Sequence, residues 1–137
     1  MLVLVLLLSG CTGDKKANDT DWTLSPTFEV DNFTLHGTEG KFGITKTNGE
    51  SDEAEFPVVN QGRLYKVFFL DSTKDFNGKK FKMIATHKDT GDAVELYEWN
   101  IENEQSGAKF GLDKTGLWKI DVTVDEKSYT SFVIEAK

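Results

Sequence analysis

The chain has 137 residues, of which 38% are hydrophobic and 28% charged, enough for one globular domain and short for two. Sixteen Lys+Arg against 23 Asp+Glu leave a net charge of -7 with no basic stripe, which argues against binding nucleic acid, because such a chain repels phosphate backbones. The single cysteine, Cys11, excludes a disulfide within the chain.

Residues 1–11 read MLVLVLLLSGC. The apolar run Leu2–Leu8 is far too short for a bilayer span of ~20 residues. It fits the hydrophobic region of a signal peptide followed by small residues. No Lys or Arg precedes it, which points to a start codon a few residues upstream. Leu8-Ser9-Gly10-Cys11 resembles the lipobox of bacterial lipoproteins. In that family the Cys is diacylated on sulfur and becomes the first residue after cleavage. The resemblance implies a signal peptide over 1–10, a diacylglyceryl group on Cys11, and a flexible polar tether over 11–21. Two acyl chains suffice for stable anchoring where one is marginal. The expected location is the extracytoplasmic face of the cell membrane.

From Trp22 onward the pattern is that of strands. Pro26 breaks pairing and points to an edge. Phe28 and Val30, then Phe33 and Leu35, alternate around Asp31-Asn32. Phe42 and Ile44 form another short strand, and Asn48-Gly49 is a turn pair. The acidic run Glu50–Glu55 lacks the alternation and closing Glu of a calcium loop and reads as a solvated loop. Arg63–Leu70 is a near-continuous apolar run, expected as a central strand buried on both faces. Phe81, Met83 and Ala85 alternate with polar neighbours, and Asp89–Asp92 is a hairpin turn. Val94–Ile101 alternates again, with Tyr97 and Trp99 on one side. Glu102–Gly107 reads as loop, and Phe110 and Leu112 mark a short extended segment.

The last twenty-two residues carry the strongest period-two pattern. Trp118, Ile120, Val122 and Val124 share one face of a strand, and Phe132, Ile134 and Ala136 share one face of the next. Ten Phe, three Tyr and three Trp supply the sheet core. No amphipathic helix of ten or more residues and no internal repeat occurs. The expected fold is an all-β antiparallel β-sandwich of about seven to nine strands over 22–137, with a barrel as the alternative. Gly116-Leu117-Trp118 followed by the closing hairpin resembles the last two strands of bacterial immunoglobulin-like domains. With the lipobox, Trp22–Phe28, Gly40–Ile44 and Gly78–Lys82, most of the chain is similar to an uncharacterised small lipoprotein family of spore-forming Gram-positive bacteria. That resemblance implies an immunoglobulin-like β-sandwich and carries over no site residue beyond Cys11.

Catalytic signatures are missing. His36 and His87 have no ligand partner at short spacing, so neither is expected to hold a metal, and no cofactor is expected. No Gly-x-Ser-x-Gly elbow or complete phosphate loop is present. Tyr97 and Trp99 are the candidate binding residues: exposed, they form an aromatic platform for a protein or an envelope polymer; buried, they are core, the commoner fate of aromatics. The functional expectation is a non-enzymatic, lipid-anchored binding or adaptor module of the cell envelope. The alternative is a protease inhibitor of sandwich fold presenting Glu50–Glu55 or Glu102–Gly107 to an enzyme.

Overall fold

Most of the β-strands follow from an alternating apolar stretch, and several end at a turn with a left-handed backbone. A computed structural model describes residues 21–137; the expected signal peptide and the lipidated Cys11 lie outside these residues, as does the tether up to Thr20. Nine strands form: β1 (Thr27–Val30), β2 (Phe33–Thr38), β3 (Phe42–Lys46), β4 (Arg63–Phe69), β5 (Lys80–His87), β6 (Ala93–Asn100), β7 (Gln105–Phe110), β8 (Gly116–Val124) and β9 (Lys127–Ala136). All pairings are antiparallel. One sheet has the order β1-β2-β3-β4-β7 and the other β6-β5-β8-β9. The fold is an all-β sandwich, as the alternation predicts.

Two-residue turns set the register of three junctions. Asp31-Asn32, Asn103-Glu104 and Asp125-Glu126 all have positive φ at both positions, the twist that right-handed strands require. The turn at Asp125-Glu126 fixes Val124 opposite Lys127 and so places Trp118 opposite Ile134.

The core lies between the sheets. Trp118, Ile120, Val122, Phe132 and Ile134 from one sheet meet Phe42, Ile44, Tyr65, Val67 and Phe69 from the other. Phe42 contacts Phe132 with ring centroids 5.7 Å apart, and Phe69 contacts Phe81 at 5.3 Å. Trp118 is fully buried, and its indole N–H donates to the Lys114 carbonyl at 3.0 Å, so the one polar atom of the ring is satisfied. One side of the sandwich is closed by Ser25 and Val133, which exchange two hydrogen bonds, and by a Thr38–Thr130 hydroxyl pair at 2.7 Å.

Two sequence expectations are corrected. β4 is not buried on both faces: Tyr65, Val67 and Phe69 are buried while Leu64 is 45% exposed and Lys66 and Phe68 are half-buried. An antiparallel sheet covered on one side only leaves alternate residues at the surface. The stretch Glu102–Gly107 is not all loop, because β7 begins at Gln105 and pairs with β4 through Val67 and Ser106. Backbone pairing at a sheet edge needs no apolar side chain, so Gln105-Ser106-Gly107 gives no strand signal.

The strands define two ends. Lys137, Asp31-Asn32 and the segments 47–62, 88–92 and 111–115 lie at one end. Leu24 and Ser25, just ahead of β1, line a cleft there with Glu135 and Lys137. The segments 39–41, 70–79, 101–104 and 125–126 lie at the other end. β9 runs ten residues between them, about 30 Å.

Candidate binding surfaces

The acidic run Glu50–Glu55 is not a free solvated loop. Lys46 Nζ and the Arg63 guanidinium both close on the Glu53 carboxylate, with Arg63 Nη2 donating at 2.7 Å and Nε at 2.8 Å. These hydrogen bonds hold the Glu53 carboxyl well below its ordinary value of 4.5, at about 2. Glu55 accepts the Lys46 backbone N–H at 2.8 Å, and the Tyr65 hydroxyl donates to the Glu55 carbonyl at 3.1 Å. Burial, with Glu55 and Glu53 nearby, pushes the Tyr65 phenol upward, so it remains a donor. Asn48-Gly49 turns the chain into this network. Gly49 has φ 101°, and a Cβ there would fall 2.2 Å from Glu53 Oε2.

The histidines serve the fold and lie on different sheets. His87 on β5 is 4% exposed; Nε2 lies 3.0 Å from the Thr115 carbonyl, and Nδ1 accepts from the Thr90 backbone N–H at 3.3 Å. Its ring lies 4.8 Å from that of Trp118. His36 on β2 packs edge-on against Phe56 at 4.9 Å, and burial lowers its pKa against the opposing pull of Glu55. Among the described residues no group of three or more His, Cys, Asp or Glu could hold a metal ion.

Tyr97 and Trp99 share a face of the edge strand β6, but their surroundings differ. They pair with Met83 and Phe81, so both point to the inner side of their sheet. Tyr97 is half-buried with its ring 6.2 Å from Phe81. Trp99, one pair nearer the end that carries 70–79, is 60% exposed. A register shift between Met83 and Ile84 leaves Leu96 without a partner on β5 and bends this edge.

A second aromatic surface is absent from the sequence reading. On the outer side of the five-stranded sheet, Leu35 lies directly over Gly43, whose added Cβ would meet it at 2.7 Å. Phe68 pairs with Gly43 and so shares that side. Phe33 stacks against Phe68 at 5.3 Å, and Lys66 Nζ sits over both rings at 5.6 and 5.4 Å. Alternation shows which residues share a face, but not that the bare backbone of Gly43 lets Leu35 sink between them.

The end away from Leu24 carries a cleft of about 450 Å³ lined by Lys74, Asp75, Phe76, Lys79, Val124, Lys127, Ser128 and Tyr129. Phe76 is buried, and its ring meets Tyr129 edge-on at 5.4 Å to form the wall. The Tyr129 hydroxyl donates to the Lys41 carbonyl at 2.7 Å, while Lys41 Nζ lies 5.7 Å from the same ring. Burial, with Asp71 nearby, pushes the Tyr129 phenol up to about 12. Lys74 and Lys79 come from the β4–β5 loop and Lys127 from the start of β9, and the packing of β4, β5, β8 and β9 brings them together. No local sequence signal marks this cleft.

Comparison with known proteins fits this architecture. A solved crystal structure described as "a Putative Lipoprotein from Bacillus anthracis" superposes with a TM-score of 0.69, covering 90% of this chain and 91% of that one at 21% identity. At that identity the likeness shows the fold. Comparison with curated protein sequences returns no match. A family model matches residues 14–134, and the chain therefore belongs to the family described as Domain of unknown function (DUF4871).

Proposed function

We propose that this protein is a lipid-anchored, non-catalytic binding module on the extracytoplasmic face of the cell membrane, with an immunoglobulin-like sandwich as its scaffold. The anchor rests on Leu8-Ser9-Gly10-Cys11, and a structural neighbour described as a lipoprotein is in keeping with it. The observation that carries the binding reading is Trp99. A large aromatic ring 60% exposed on an edge strand is the kind of side chain that anchors interfaces. The inhibitor reading draws no comparable support. Glu50–Glu55 is drawn onto the sheet by Lys46 and Arg63, and Glu102 and Gln105 bond to each other across a two-residue turn.

The test places a photoreactive residue at Trp99 or at the exposed Lys88 in the anchored protein and irradiates intact cells. An adduct from Trp99 and none from Lys88 is expected. Cys11→Ala is expected to release the protein from the membrane fraction. Equal adducts from both positions would overturn the binding surface; retention of Cys11→Ala in the membrane would overturn the anchor.

A further inference from the structure

We propose that Asn48 is a site of spontaneous covalent modification, at which the Gly49 backbone nitrogen expels the side-chain amide and releases the acidic loop that Glu53 pins to the sheet. Water is the only co-reactant. The Gly49 nitrogen gives up its proton to base in the solvent and attacks Asn48 Cγ. The new N–Cγ bond closes a five-membered succinimide, the Cγ–Nδ2 bond breaks, and Nδ2 leaves as ammonia. Water then opens one of the two ring carbonyls. Opening at Cγ gives aspartate. Opening at the main-chain carbonyl gives isoaspartate, whose backbone runs through the former side chain and is one methylene longer.

Three observations carry it. The first is that the chain holds two Asn-Gly pairs, Asn48-Gly49 and Asn77-Gly78, and that both are exposed. Asparagine is among the thermally labile residues, and a following glycine puts no side chain in the way of its own nitrogen. Local sequence and exposure rank the two pairs alike, so only the fold separates them.

The second is the state of the attacking nitrogen. The Gly78 N–H donates to the Ile101 carbonyl at 2.9 Å. The turn is closed around it by the Lys79 N–H on the Phe76 carbonyl at 3.0 Å and the Asn77 N–H on Asp75 Oδ1 at 3.1 Å. Attack on Asn77 has to break the Gly78 bond first. Among the described residues no hydrogen bond holds the Gly49 N–H. The two side chains are otherwise alike: Asn48 Oδ1 accepts the Leu64 N–H at 2.8 Å, and Asn77 Oδ1 accepts the Glu104 N–H at 3.2 Å. That oxygen gains negative charge during the attack, which the shorter Leu64 bond favours.

The third is what the turn supports. Gly49 lies against the pair formed by Glu53 and Arg63: a Cβ added to Gly49 would run into Glu53 Oε2 and Arg63 Nε. There is room for a bare backbone and no more. Isoaspartate at Asn48 lengthens the main chain next to Gly49 and adds a carboxylate near Glu53. The first displaces the turn, and the second repels the Glu53 charge that Lys46 and Arg63 hold. Ammonia is lost to solvent, so the change runs one way and the loop is released as the protein ages.

The test ages the purified protein in mildly alkaline buffer, folded and in urea. Peptide mass mapping follows amide turning to acid at each site, and enzymatic methylation of isoaspartate separates the two products. In urea the two sites are expected to convert at equal rates. In the folded protein Asn48 is expected to convert at least about fivefold faster than Asn77, the factor for one amide hydrogen bond. In the converted protein the Glu53 carboxyl, followed by carbon nuclear magnetic resonance, is expected to titrate above about 2, toward its ordinary 4.5. Asn48→Ser protein aged alongside is expected to match its own unaged sample. Equal conversion of the two sites in the folded protein, or full protection of Asn48, would overturn the site. Conversion of Asn48 with the Glu53 titration unmoved would overturn the release of the loop.

Discussion

At the end of the sandwich that receives Leu24, Lys46 and Arg63 close on Glu53, and Lys114 reaches Asp92 at 3.1 Å. At the other end Lys74, Lys79 and Lys127 line a cleft together with Asp75, and none of the three is in an ion pair among the described residues. The residue types are the same, and what differs is where the acids are held. Glu53 is carried back over β3 and β4 by the turn at Asn48-Gly49, so its charge meets cations on the sheet. Asp71 and Asp75 bond to amides two residues further along their own loop, and Thr73 above all, with Lys74 and Lys41 nearby, holds the Asp71 carboxyl below its ordinary value. One end uses charge to pin a loop to the sheet, while at the other the carboxylates turn back onto their own loop. The core beneath both is shared, and variants can separate the three contributions.

The largest effect belongs to the shared core. Trp118 is fully buried, donates to the Lys114 carbonyl, and packs against His87. Trp118→Ala is expected to cost about 3–5 kcal/mol, most of the ~5–15 kcal/mol that holds an ordinary domain. Urea unfolding followed by far-ultraviolet circular dichroism measures it. A loss under 1 kcal/mol would mean that Trp118 is not the centre of the core.

Glu53 comes next and tests the fixed end. Its carboxyl titrates at about 2 when folded against 4.5 ordinarily, so the unfolded chain takes up the proton first as pH falls. The stabilisation is complete above about pH 4.5 and is lost progressively down to about pH 2. Glu53→Gln is expected to lower the urea midpoint at pH 7 and to flatten its fall between pH 4.5 and 2. Asp92→Asn, whose carboxylate is much more exposed, is expected to do so less. Lys79→Gln is expected to leave the midpoint where it is. A midpoint shift for Lys79→Gln as large as that for Glu53→Gln would erase the contrast between the ends.

Much of the architecture is legible in the chain because strand alternation is a local signal. Trp118, Ile120 and Val122 alternate with Lys119 and Asp121, and all three apolar residues are buried. Where legibility fails, the missing information is non-local. Arg63–Leu70 looks near-continuously apolar, yet Leu64 is exposed because, among the described residues, nothing covers that side of its sheet. Glu50–Glu55 looks like solvent-exposed charge because Arg63, its main partner, lies across a turn and eight to thirteen positions away. The lysine cleft joins Lys74 to Lys127 through sheet order alone. A single sequence carries face and turn, but not which loops meet at an end.

A small stability effect is expected at Trp99 too, and it sharpens the contrast in another way. Tyr97 and Trp99 look equivalent in the sequence, two residues apart on one face. Tyr97 packs on Phe81, so Tyr97→Ala removes buried ring surface and is expected to cost about 1–2 kcal/mol. Trp99 lies where the facing sheet gives little cover, so Trp99→Ala is expected to change stability by no more than about 0.5 kcal/mol. Iodide should quench the Trp99 emission readily and leave that of Trp118 untouched, which Trp99→Phe separates in a Trp22→Phe background. A Trp99 shielded from iodide, or a Trp99→Ala variant as unstable as Tyr97→Ala, would place the indole in the core. An accessible ring that contributes little to folding can be removed without disturbing the scaffold. Loss, in a Trp99→Ala background, of the adduct formed from a photoreactive residue at the exposed neighbour Asn100 would then report on binding alone.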